Sequence, residues 1–200
     1  VPIAGLAMLP LLAGFPPMLL PAHVVLTEMI IDPMCTVAFE NEPDEAGLMS
    51  RPPRALDEPL IGVAQLLLGL AQGAVLLAAC LGLYVLLLRD GAAVELARTL
   101  AFIAMTAGNL MLVRANASHH VGAGRHLGRR RGYWLIALLA SGTVALCIAV
   151  PGLRGLFGFA LPEPGMAAAA VLLGLVGGAS LWLVKWHPRV RHWLGCAAPG

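Results

Sequence analysis

Two carboxylates, Glu28 and Asp32, stand four residues apart in Leu26-Thr27-Glu28-Met29-Ile30-Ile31-Asp32-Pro33-Met34-Cys35-Thr36. On a helix that spacing projects both from one face. The surrounding segment is apolar, and an ionised group at bilayer depth costs about 2.5–3.5 kcal/mol on the insertion scale. Two together need a compensating partner: a bound cation, a proton on one of them, or a basic side chain from another helix. No Lys or Arg of this chain falls at that depth, which leaves a cation or proton site. Pro33 strengthens the reading. It removes a backbone donor and clashes with the preceding turn, freeing carbonyls near Met29 and Ile30 for a cavity to use. Carboxylates with freed carbonyls are hard oxygen ligands, suited to Ca²⁺, Mn²⁺ or alkali cations. The bland alternative is a neutral carboxyl pair hydrogen-bonded to neighbouring helices.

Other polar residues carry weaker signals. Asn109 could lend an amide carbonyl to a hard cation, although Asn109, Thr106, Gln65 and Gln72 fit interhelical hydrogen bonds more simply. Gly174 and Gly178 form a GxxxG, read as close helix packing. Cys35, Cys80, Cys147 and Cys196 form no CxxC pair and read as apolar thiols. His119 and His120 lack further metal ligands. The basic run Arg125 to Arg131 reads as a topology determinant before an anionic-lipid site.

These residues need a membrane to be placed in. Of 200 residues, 59% are hydrophobic and only 12% charged, half the charge of a soluble domain at about 25%. Soluble globular, disordered and nucleic-acid-binding classes fit poorly, and a net charge of +2 says little about partners. A helix crossing the hydrocarbon core needs about 20 mostly apolar residues. Residues 1–15 give a partial span, broken at Phe15-Pro16-Pro17, and residues 18–39 a second. Four more follow at about 61–88, 93–113, 132–153 and 164–186. The fourth must reach back toward Ala92, leaving Glu95 and Arg98 at an interface where they can snorkel. The fold expected is all-α, a polytopic transmembrane helix bundle. Residues 1–40 carry the cation site, 41–60 a loop, 61–194 four further helices with a basic loop at 114–131, and 195–200 a tail.

Ten of the thirteen Lys and Arg residues fall on one side of these spans. The 41–60 loop, the 114–131 loop and the C-terminus are therefore expected in the cytoplasm. The sequon Asn116-Ala117-Ser118 faces the same side and is discounted. Trp134, Trp182 and Trp186 sit near span ends, as interfacial anchors would. Residues 1–27 contain no Asp, Glu, Lys or Arg and show neither the basic region nor the cleavage site of a signal peptide. Val1 is expected to lie inside a membrane helix of a larger protein.

The stretch from Leu20-Pro21-Ala22-His23-Val24-Val25 through Glu28-Met29-Ile30-Ile31-Asp32-Pro33 resembles a known family. With Phe39-Glu40-Asn41-Glu42-Pro43 and Met49-Ser50-Arg51-Pro52-Pro53-Arg54, it is similar to the sixth transmembrane helix and following loop of P-type cation-transporting ATPases, nearest the calcium-pump-like bacterial enzymes. Ala97-Arg98-Thr99-Leu100-Ala101-Phe102 looks like the start of that family's eighth helix. The resemblance runs from late in the fifth helix to the tenth. It implies that Asp32 is the central cation-coordinating aspartate. Glu28 stands where animal calcium pumps carry an asparagine ligand, and Ile31 where they carry a threonine. The fifth-helix glutamate would fall at Ile3 and the eighth-helix one at about Gly108, so at most one site remains, built on Glu28 and Asp32 with Asn109 a further candidate. Arg51, Pro52, Pro53 and Arg54 would belong to a loop coupling this site to the phosphorylation domain.

The Asp-Lys-Thr-Gly-Thr phosphorylation motif, the Thr-Gly-Glu loop and the Gly-Asp-Gly hinge are absent. This polypeptide alone cannot hydrolyse ATP; ATP and Mg²⁺ would act only through upstream domains. The expectation is the C-terminal membrane part of an ATP-driven pump in a bacterial plasma membrane. It would translocate Ca²⁺, another divalent ion, a monovalent ion or H⁺. Its partners would be the upstream helices, the phosphorylation, nucleotide and actuator domains, and lipid. The alternative is a stand-alone, non-enzymatic secondary carrier or scaffold descended from such a pump.

Overall fold

The computed structural model describes residues 2–28, 63–117 and 131–185, and among these the chain is all-helical. The elements are α1 (Pro2–Leu12), α2 (Pro21–Leu26), α3 (Val63–Arg89), α4 (Val94–Ala117), α5 (Arg131–Ala149), α6 (Pro151–Phe157) and α7 (Pro164–Lys185). Two of them, α3 and α4, are each long and apolar enough to cross a membrane, and the bent pair α5–α6 supplies a third candidate. The chain is an integral membrane helix bundle.

Local chemistry sets the boundaries. Pro21, Pro151 and Pro164 each open a helix, where the missing N–H is no loss and φ is already helical. Val150, extended ahead of Pro151 (φ −80°, ψ 118°) as residues before proline tend to be, turns the chain through 97° between α5 and α6. Gly91 ends α3 with φ 81°, and the Ala92 N–H donates back to the Leu87 carbonyl at 2.9 Å. This left-handed cap is where glycine is favoured.

Helix α4 is the most enclosed element. It packs on α3 and, most closely, on α7. Gly174 and Gly178 of α7 lie against Ala104 and Gly108 of α4, so that a Cβ at 174 would overlap the Ala104 backbone and one at 178 would meet the Gly108 carbonyl at 2.6 Å. The four-residue step on both helices sets them parallel and in register. This is the small-residue contact by which membrane helices approach when lipid offers no hydrophobic drive. Cys80 and Cys147 are buried thiols; Cys35 and Cys196 lie outside the described residues. The outward faces carry Leu66, Leu86, Leu138 and Leu172, side chains suited to lipid.

Candidate functional site

Helix α2 begins tightly. Leu20 is its N-cap and Pro21 its first helical residue. The Leu20 N–H donates to His23 Nδ1 at 2.9 Å, a side chain in the first turn reaching back to the cap as in a capping box. That bond holds Nδ1 as an acceptor and puts the neutral ring's proton on Nε2. His23 is fully buried among Phe159, Phe102 and Phe157, at ring-centroid distances of 4.7, 5.3 and 5.8 Å.

Beyond this turn α2 has two unlike faces. His23, Leu26 and Thr27 are buried, and the Thr27 hydroxyl donates to the His23 carbonyl at 2.8 Å. Val25 and Glu28 are exposed. Thr27 and Glu28 continue as π-helical turn, a widening that often accompanies function. Glu28 thus sits on a face that the described helices leave uncovered. Asp32 and Pro33, like Arg51, Pro52, Pro53 and Arg54, lie outside the described residues. Among the described residues no cluster of three or more His, Cys, Asp and Glu could hold a metal ion.

On α4, Thr106 donates to the Phe102 carbonyl at 2.9 Å, a bond within its own helix and not to another. Gly108 is a packing position: a Cβ there would run into the end of the Leu76 side chain and lie 3.1 Å from the Gly174 carbonyl, so a larger residue requires Leu76 to move. Asn109, the next residue, is half-buried and is the nearest side chain on α4 with a ligating oxygen.

One expectation is corrected. Glu95 is exposed, as a residue at a span end would be, but Arg98 turns inward at the end of the bundle and does not snorkel. It is 7% exposed and donates to three backbone carbonyls: Nε to Met18 at 3.2 Å, Nη2 to Pro17 at 3.0 Å and Nη1 to Gly158 at 2.9 Å. The proline-broken connector ahead of α2 presents carbonyls without helical partners, and these outcompete water for the guanidinium. Around Arg98, the Tyr84 hydroxyl donates to the Pro16 carbonyl at 2.9 Å and the Ala160 N–H to Thr99 Oγ1 at 2.9 Å. The α1–α2 and α6–α7 connectors are therefore joined, through side chains of α3 and α4, at one end of the bundle. Sequence reasoning missed this knot; the signal was an arginine and a threonine at the start of an apolar span. The opposite end of α4, about 24 Å away at 1.5 Å per residue, places Arg114 over Tyr133 and Trp134 at 5.6 and 6.0 Å from the ring centroids.

No curated protein matches the chain. A family model described as the C-terminus of cation-transporting ATPases matches residues 16–187, from the connector before α2 through the knot to the end of α7, and the chain belongs to that family.

Proposed function

We propose that this chain binds and translocates a cation as the membrane half of an ATP-driven pump, with Glu28 and Asp32 of the α2 segment as carboxylate ligands and Asn109 of α4 as a further oxygen ligand. One observation carries the reading. Glu28 stands exposed on α2 while the opposite face of the same helix is buried. A carboxylate on an uncovered face at membrane depth needs a cation or further helices over it, and the helices upstream of α1 in a pump of this family would supply them. The π turn at Thr27 and Glu28 and Pro33 beyond it supply backbone carbonyls as additional hard ligands.

ATP hydrolysis belongs to upstream domains. The segment from Arg51 to Arg54 passes the phosphorylation event to α2, on the cytoplasmic side together with the basic loop and the C-terminus. The transported ion is Ca²⁺, another divalent cation, a monovalent cation or H⁺, in a bacterial plasma-membrane pump. Phosphorylation shifts the α2 segment and turns the site to the opposite side, an alternating access driven by a two-state element. The test is ion-stimulated phosphorylation of the full pump. Glu28→Gln or Asp32→Asn is expected to abolish it, and retained ion dependence in either variant overturns the site.

A further inference from the structure

We propose that Arg98 is a positioning residue for the cation site: its guanidinium clamps the α1–α2 connector to the C-terminal end of α6 and so fixes the direction in which α2 carries Glu28. The inference rests on the cation-site reading above. Three features of the clamp carry it.

The first is the acceptor geometry. Nε and Nη2, one edge of the guanidinium, take the successive carbonyls of Met18 and Pro17, while Nη1 takes Gly158 from another part of the chain. A planar fork can serve spread acceptors at once. A lysine presents its donors from a single atom and cannot. The second is charge. Arg98 is buried, and no carboxylate forms an ion pair with it among the described residues. Its charge is met by backbone carbonyls, one of them at the negative end of α6, so the connector and the α6 terminus are held to the cation itself. The third is leverage. Pro17 and Met18 lie just ahead of Pro21, where α2 starts, and the connector is stiffened by Pro16 and Pro17. Glu28 is about 10 Å along the helix from Pro21. A coordinating group must be held within about 0.5 Å, which over that length is a tilt of roughly 3°. Without the guanidinium the start of α2 is left, among the described residues, with the Tyr84–Pro16 bond and the His23 packing, and a tilt of that size is the expected consequence.

The experiment uses the full pump with Arg98→Gln and Arg98→Lys, each read in two ways. Amide hydrogen exchange reports whether residues 18–24 and 158–162 stay protected. Phosphorylation from ATP is titrated with whichever of Ca²⁺, Mn²⁺, Na⁺ or K⁺ stimulates the unaltered pump. Both variants are expected to lose protection in both segments. The half-saturating cation concentration is expected to rise about tenfold, in the usual range of coupling between sites, with the ATP dependence unchanged. Lysine restoring protection and affinity overturns the proposal, because charge and not the fork would then matter. Lost protection with unchanged cation affinity overturns it equally, leaving Arg98 a structural tie. If Arg98→Gln fails to assemble, Arg98→Lys decides alone by the same readings. A pump that no cation stimulates refutes the transport reading, and wild-type-like exchange in Arg98→Lys would separately refute the clamp.

Discussion

Arg98 Nη1 lies 2.9 Å from the Gly158 carbonyl oxygen, and a Cβ added to Gly158 would stand 2.7 Å from that same nitrogen. The two residues define each other. Gly158 also adopts φ 57° at the end of α6, a conformation that costs a residue with a side chain about 1–2 kcal/mol. Gly158→Ala is therefore expected to destabilise the pump by more than that backbone term, because the methyl displaces the guanidinium as well. Thermal denaturation in detergent measures it. Gly155→Ala, in the same helix with open space around its Cα, is the comparison and should be neutral or slightly stabilising. Equal behaviour of the two alanine variants would refute the contact.

The contact between α4 and α7 makes a second prediction. A methyl at Gly174 would overlap the backbone of Ala104, and backbone cannot rotate aside as a side chain can. Gly174→Ala should cost about 1–3 kcal/mol, the usual penalty of overpacking, or force α7 away from α4. Gly142→Ala, with nothing within 4 Å, should cost nothing. A Gly174→Ala protein of unchanged thermal stability would mean that the helices are not packed as closely as described.

Much of the bundle could be read from the order of residues. Long uncharged runs and prolines mark spans and their starts because a bilayer admits few other solutions; the GxxxG of Gly174 and Gly178 told of close packing, though not that Ala104 and Gly108 were its receiving surface. Glu28, the proposed ligand, stood out in the sequence as a carboxylate in an apolar segment, and the structure adds that it is exposed at the end of α2. Arg98 did not stand out. Its place near the start of the fourth span suggested a snorkelling charge, and the three carbonyls that hold it come from residues 60 to 81 positions away, brought there by helix packing that no local pattern encodes. His23 escaped notice for the same reason. Its cap to Leu20 is local, but its phenylalanine cage is assembled from α4, α6 and the connector after α6.

Thr99 joins α4 to the α6–α7 connector with one atom. Its oxygen accepts from the Ala160 N–H while its own proton goes to the Glu95 carbonyl at 2.7 Å. Thr99→Val keeps the shape and removes the acceptor. It should cost about 0.6 kcal/mol, the typical membrane value for such a bond, and more if the Ala160 N–H is left dry. Thr99→Ser should be nearly neutral. Amide exchange at Ala160 reads the bond directly, and protection unchanged in Thr99→Val would remove it from the knot.

Asn109, the proposed ligand, and Thr106 can be told apart on α4 by experiment. The Thr106 proton is already given to Phe102, and Gly108 is filled by the approach of Leu76 and Gly174. Thr106 is buried while Asn109 is half-buried, so the two offer their oxygens from different environments of the same helix. In the full pump, Asn109→Ala should raise the half-saturating cation concentration by at least the roughly tenfold that removal of even an outer partner of a metal brings. Thr106→Val should leave it unchanged at a small cost in stability. The opposite pattern, affinity lost with Thr106 and kept without Asn109, would move the ligand to the buried hydroxyl of Thr106, about 160–200° around α4 from the Ala104 and Gly108 face that meets α7, and would overturn the assignment of Asn109.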